Sequence, residues 1–231
     1  MLSLKSFFYA DNLPMHFISS YYILIKKYFK KRSKQYFSSN DRSHFIVKFT
    51  FLLIICFDIF FFASCRTMPK AIISKPRLSA KQLKAFFMAM NPDADEEKVT
   101  RISSIYVKES KIESVNSDIA FAQMCLETGY LTFTGLVKSD MNNFCGLGAI
   151  DAANNGLTFE TEELGIRAHI QHLKAYASKK PLINECVDPR YKFVLPKGKA
   201  PFIKELTGKW ATDTEYSNKL ESILLRMYNF L

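Results

Sequence analysis

Residues 120–149 read "AFAQMCLETGYLTFTGLVKSDMNNFCGLGA", and how this stretch is read decides the fold. Asn116 or Ser117 just upstream can cap a helix, and Gly129 suits the left-handed residue that closes one, so the spacing predicts a helix between them. Ile119, Ala122 and Leu126 form one apolar row, which Phe121 and Cys125 widen. A helix apolar over so much of its circumference is a central, buried one. Gln123 and Glu127, four residues apart, then draw a narrow polar line along it. A carboxylate in that position needs a chemical reason, because burying a charge without a partner is costly.

Outward from this helix, the same periodicity predicts four others. Ser79 can cap a helix over "AKQLKAFFMAMN", with Leu83, Phe86, Phe87 and Met90 at helical spacing and Pro92 after its end. A second follows the acidic "DADEE", with Val99, Ile102, Ile105 and Tyr106 on one face and acids where the helix dipole favours them. Residues 130–160 are loop-rich. From Glu162 to Ala177, Ile166, Ile170, Leu173 and Ala177 recur at helical steps, and His169, His172 and Tyr176 line a neighbouring face. A C-terminal helix carries Tyr216, Leu220, Ile223, Leu224 and Met227. There is no internal repeat and little β signal, so residues 79–231 read as one compact, mainly α domain.

The N-terminal part is of another kind. Residues 1–44 are basic and aromatic without defensible periodicity, consistent with either a start assigned too far upstream or a tail attracted to anionic lipid. Residues 45–65 contain the nearly continuous apolar run "FTFLLIICFDIFFFASC", preceded by Arg42, His44 and Lys48: the pattern of a signal peptide or membrane anchor. Interrupted by Asp58, the run is short for a span of roughly 20 residues. Its end, "FASC", resembles a bacterial lipobox, with Cys65 as the lipidated residue and Phe62 in place of the usual Leu. This predicts a lipoprotein of the cell envelope, facing the periplasm or exterior. Residues 66–78, with two prolines and four basic residues, read as a tether.

Charge and cysteines narrow the chemistry. Nine Lys and Arg against three Asp give residues 1–65 a net +6, leaving +4 of the total +10 for the rest, which is poor support for nucleic-acid binding. Beyond Cys56 and Cys65 the thiols are Cys125, Cys145 and Cys186, which allow at most one disulfide among themselves and have no metal-ligand spacing. No metal or cofactor is expected.

Four segments in order, "AFAQMCLETGY…NNFCGLGA", "GIRAHIQHLKAYAS", "DPRY" and "KWATDTEYSNKL", resemble the bacterial glucosaminidases of glycoside hydrolase family 73, which includes autolysins and flagellar peptidoglycan hydrolases. The resemblance covers about residues 80–231. It implies a lysozyme-like α fold with a loop-rich lobe, peptidoglycan glycan strands as substrate, and cleavage of the β-1,4 bond after N-acetylglucosamine. The Glu of the family's "LET/LES-G" motif protonates the glycosidic oxygen, and Glu127 matches it. The residues agree: cleaving an acetal near neutral pH needs a proton donor, and a carboxyl serves if apolar surroundings raise its pKa. Leu126, Cys125, Tyr130 and Phe144 offer such surroundings.

Tyr216 matches a family aromatic beside the acid, where its hydroxyl would orient an N-acetyl group; a core tyrosine is the alternative. Asn142, Asn143 and Phe144 resemble the family's cleft-lining turn, and Gln123 is expected beside the substrate. The second catalytic group is open. Flagellar-type members place a Glu on a β-hairpin after that turn, where this chain has only "AIDAANNGLTFETEE", a shortened lobe. Asp151, Glu160 and Glu163 are the acids available, and attack by the substrate's own acetamido group is the alternative. Rival readings are a Cys–His wall peptidase or amidase built on Cys145 with His169 or His172, a lytic transglycosylase, and a non-catalytic peptidoglycan-binding lipoprotein.

Overall fold

A computed structural model of the chain describes residues 68–230. The N-terminal extension, the signal or anchor segment and Cys65 lie outside the described residues. Within them, five α-helices carry the fold: α1 (Ala80–Met90), α2 (Glu96–Glu113), α3 (Ser117–Thr128), α4 (Glu162–Ala177) and α5 (Tyr216–Asn229). Short 3-10 turns at Ser139–Met141, Tyr191–Phe193 and Ile203–Leu206 punctuate the connections, and β structure among the described residues is limited to isolated bridges. The domain is mainly α, with the loop-rich lobe expected between α3 and α4.

Local chemistry sets the helix ends. Ser79 and Gln82 form a reciprocal capping box on α1, Asp95 accepts from the amides of Glu97 and Lys98 on α2, and Thr161 caps α4. Asn116 accepts from Asp118 and Ile119 to start α3. Gly129 ends it at φ +56°, and a Cβ there would lie 2.9 Å from Thr132 Oγ1, so both backbone and space call for glycine.

Helix α3 touches each of the other four helices. Ile119, Phe121, Ala122, Met124 and Cys125 on it are fully buried, and Phe87, Tyr106, Ile170, Leu220 and Leu224 converge on the same core. Edge-on ring contacts join Phe121 to Phe87 and to Tyr106. Between α2 and α4 two glutamates are wholly buried. Arg167 holds Glu109 through two nitrogens, and Lys174 Nζ reaches Glu113 at 2.6 Å while the amides of Ile183 and Asn184 also donate to it.

Residues 70–78, expected as part of a tether, are docked onto the domain instead. Ala71 bridges Phe202, the Ile72 amide donates to the Pro201 carbonyl, and the amides of Arg77 and Leu78 donate to the Asp118 carboxylate. Ile72 is fully buried and Leu78 nearly so. The segment has no internal period because its partners come from distant parts of the chain.

The lobe after α3 is fastened by side chains. Asn143 donates to the carbonyls of Leu147 and Leu157 and accepts from the Leu147 amide, and Asn142 donates to the Phe159 carbonyl. Phe144 is buried in the main core. Gly165 of α4 lies directly under this lobe: a Cβ there would overlap the carbonyl oxygen of Asn142.

Candidate active site

Glu127 sits in the last turn of α3, where the chain is about to leave the core. Its residue surface is open to solvent, but its carboxyl is set low among protein atoms. Tyr216 Oη donates to Oε1 at 2.5 Å, and Trp210 Nε1 donates to the same oxygen at 3.0 Å. The other oxygen, Oε2, faces Gly146, where even a Cβ would stay 3.9 Å away. Loss of surrounding water raises the Glu127 pKa above the ordinary glutamate value, and the bonds from Tyr216 and Trp210 only partly oppose it. The negative end of the α3 dipole acts in the same direction as the desolvation. Both donors occupy Oε1, so a proton on Glu127 belongs on Oε2, which is the oxygen left open.

A directed chain of hydrogen bonds stands behind this carboxyl. Gln123 Nε2 donates to Tyr216 Oη at 2.7 Å, His169 Nε2 lies 3.1 Å from Gln123 Oε1, and Tyr106 Oη lies 2.9 Å from His169 Nδ1. The Gln123 amide presents NH₂ to Tyr216, so its oxygen must accept from His169, which fixes the Nε2–H tautomer and leaves Nδ1 to accept from Tyr106. Burial pushes the His169 pKa down to about 3, with His172 adding to the effect, so the ring is neutral. Burial and the adjacent carboxylate raise Tyr216 well above the usual phenol value, so it remains a donor.

Beside Glu127 lies a cavity of about 170 Å³ lined by the Cys145–Ile150 backbone stretch, His172, Tyr176, Arg190 and Trp210. The Trp210 ring packs against His169, His172 and Tyr176 with centroids 5.9, 5.2 and 5.3 Å away. A second groove, of about 570 Å³, runs between the end of α3 and α5, with Leu126, Gly129, Tyr130, Glu215 and Arg226 in its wall.

The residues singled out from sequence fall into two groups. Glu127, Tyr216 and Gln123 meet in one network, Gln123 being wholly buried with both ends of its amide committed inside the protein. Asn142, Asn143 and Phe144 build the lobe's own turn, adjacent to the cavity wall. Asp151 is in an exposed turn whose Ala153 and Asn154 amides it accepts, contacts that lower its pKa, and it has no hydrogen bond to Glu127. Glu160 is exposed, and Glu163 pairs with Lys108 and Arg167. The three described cysteines are free. Cys145 is buried and its pKa is raised by burial and by nearby Glu127 and Asp188, conditions that disfavour a thiolate.

Sequence reasoning missed Trp210, the single tryptophan of the chain, although it stands six residues before Tyr216 in the quoted "KWATDTEY". It also missed Asp188, which accepts from His172 Nδ1 at 2.7 Å. The "DPRY" motif contains that aspartate, so the signal was present without its partner.

A mainly helical domain that sets one desolvated carboxyl against neutral donors at a cavity edge has the architecture of a lysozyme-like domain. The chain belongs to the glucosaminidase family, whose model, described as mannosyl-glycoprotein endo-beta-N-acetylglucosaminidase, matches residues 103–229. That range contains Tyr106, Gln123, Glu127, His169, Trp210 and Tyr216. An uncharacterized protein of Borreliella burgdorferi is 43% identical over 159 residues, 69% of this chain and 78% of that protein. The family is one of glycoside hydrolases.

Proposed function

We propose that the domain hydrolyses the β-1,4 bond after N-acetylglucosamine in peptidoglycan, with Glu127 as general acid. The observation that carries this reading is the pairing of Glu127 with uncharged donors only. A carboxyl beside a cation gives up its proton more readily, whereas one held by a phenol and an indole and partly stripped of water has its pKa raised and is better placed to pass a proton to a leaving oxygen. The protonated Oε2 would point toward the glycosidic oxygen. Glu127 touches the lining of the first cavity through Trp210 and follows Leu126 of the second groove, so a strand crossing from one to the other would pass the acid. That arrangement suits cleavage inside a polymer.

The net +4 of residues 66–231 would modestly favour an anionic wall polymer. Placement at the cell envelope, as a lipoprotein anchored through Cys65, is part of the same proposal. The test is mass spectrometry of muropeptides after digestion by the purified chain. New reducing-end N-acetylglucosamine is expected; reducing or anhydro muramic acid ends, or cleaved peptides, would overturn the reading.

A further inference from the structure

Hydrolysis of a glycoside needs a second group besides the acid, to activate water or to serve as nucleophile. Among the described residues no carboxylate lines the cavity beside Glu127, but a histidine does. His172 is 8% exposed, its Nδ1 is held by the fully buried Asp188 side chain at 2.7 Å, and its Nε2 has no hydrogen-bond partner among the described residues. Asp188 is itself fixed: its carboxylate accepts from the Arg190 amide, and its own amide donates to Gln171 Oε1.

With a carboxylate on Nδ1, that nitrogen carries a hydrogen, and the ring protonated there alone presents a lone pair at Nε2. His169, one turn earlier on α4, shows the contrast. Both of its nitrogens are spent inside the protein, while His172, which lines the cavity, has a hydrogen bond at Nδ1 alone.

We propose that His172, supported by Asp188, is the second catalytic group of the site, a general base that takes a proton from the attacking water. The proposal rests on the hydrolase reading above. The water oxygen bonds to the anomeric carbon as the bond to the leaving oxygen breaks. Glu127 Oε2 gives its proton to that oxygen, and the water's proton passes to His172 Nε2. The imidazolium is stabilised by Asp188 and returns its proton to solvent, from which Glu127 is reprotonated. Trp210 touches both groups, so an indole and its two contacts separate them. Inverting glycosidases likewise hold their acid and base apart so that a water fits between them. The other ionisable neighbours of His172 are His169 and Tyr176 on its own helix, Cys145 from the lobe and Arg190 from the loop after α4.

Two measurements on the full chain test this. In the first, NMR follows the anomer of the newly formed reducing sugar as wild-type enzyme acts on purified glycan strands. A single displacement yields the α anomer first; the β anomer first would show retention and overturn the proposal, and no reducing sugar at all would instead overturn the hydrolase reading.

The second uses His172→Gly. The expected result is a fall in kcat of about 10²-fold or more with KM little changed. Added imidazole should restore activity saturably, and pyrazole, of the same shape but hardly basic, should not. Near wild-type kcat, a change confined to KM, or rescue by both compounds or by neither would each overturn the assignment. A merely structural histidine would not discriminate between the two compounds.

Discussion

The seam between α2 and α4 and the end of α3 both remove glutamates from bulk water, and they do so with opposite partners. Glu109 and Glu113 are wholly buried, and each is paired with a cation, Arg167 or Lys174. Glu127 is less enclosed as a residue, yet meets only a phenol and an indole, and its pKa rises. On the proposed reading, the same side chain is one half of an ion pair in one region and a proton carrier in the other. Depth does not separate the two roles; the presence of a cation does.

The largest effect should come from removing the proton carrier. Glu127→Gln keeps shape and neutral hydrogen bonding, so release of reducing ends from peptidoglycan should fall about 10²- to 10⁴-fold while the thermal melt stays nearly unchanged. A near wild-type rate would make the cleft glutamate as structural as those of the seam. Next in size is the seam itself. Lys174→Met strips the cation from buried Glu113 and should cost about 3–5 kcal/mol in urea unfolding, with activity per folded molecule retained. A loss below about 1 kcal/mol would mean that the amides of Ile183 and Asn184 hold the charge unaided.

Smaller effects sharpen the contrast through pH. As the proposed general acid, Glu127 would work protonated, so activity should be lost as pH rises through its raised pKa, and the alkaline limb of kcat/KM should lie above the roughly 4.3 of free Glu. Tyr216→Phe removes a donor that stabilises the carboxylate, so the limb should move to higher pH. A move to lower pH would contradict the assigned direction of that bond. The smallest effect is expected at Asp151→Asn: in an exposed turn without a hydrogen bond to Glu127, it should leave activity within about twofold of wild type, and a large loss would support the catalytic role considered for it from sequence.

Much of the helical frame was legible because its determinants are local. Ser79, Asn116 and Gly129 cap what they adjoin, and the rows Ile166–Ile170–Leu173 and Leu220–Ile223–Met227 show their buried faces in the spacing alone. Glu127 was legible as an apolar helix's misplaced acid. Tyr216 and Gln123 were named through the family resemblance, but the bonds that join the cleft's parts were not legible, because their partners are far apart in the chain. Trp210 and Tyr216 reach Glu127 across 83 and 89 positions, and His169 reaches Gln123 across 46. Ile72 likewise looks like any residue of a proline-containing connector until Pro201 and Asn116 bond its backbone. Asn143 shows the converse: an amide suited to sugar hydroxyls is equally suited to a turn's own carbonyls, and the lobe uses it for the latter.

Gly165 has a consequence for how the site tolerates change. Glycine inside a helix costs about 1 kcal/mol relative to alanine, yet at this place the Asn142 carbonyl admits nothing larger. The lobe therefore rests on the bare backbone of α4, and Gly146 descends from that lobe while His172 projects from the same helix two turns further on. Cys145, Leu147 and Phe159 of the lobe also pack with Ala168 of α4, so this close approach at Gly165 is part of a wider seat for the cavity wall. A methyl group at position 165 would therefore push the lobe off its seat and change the width of the cavity between Gly146 and His172.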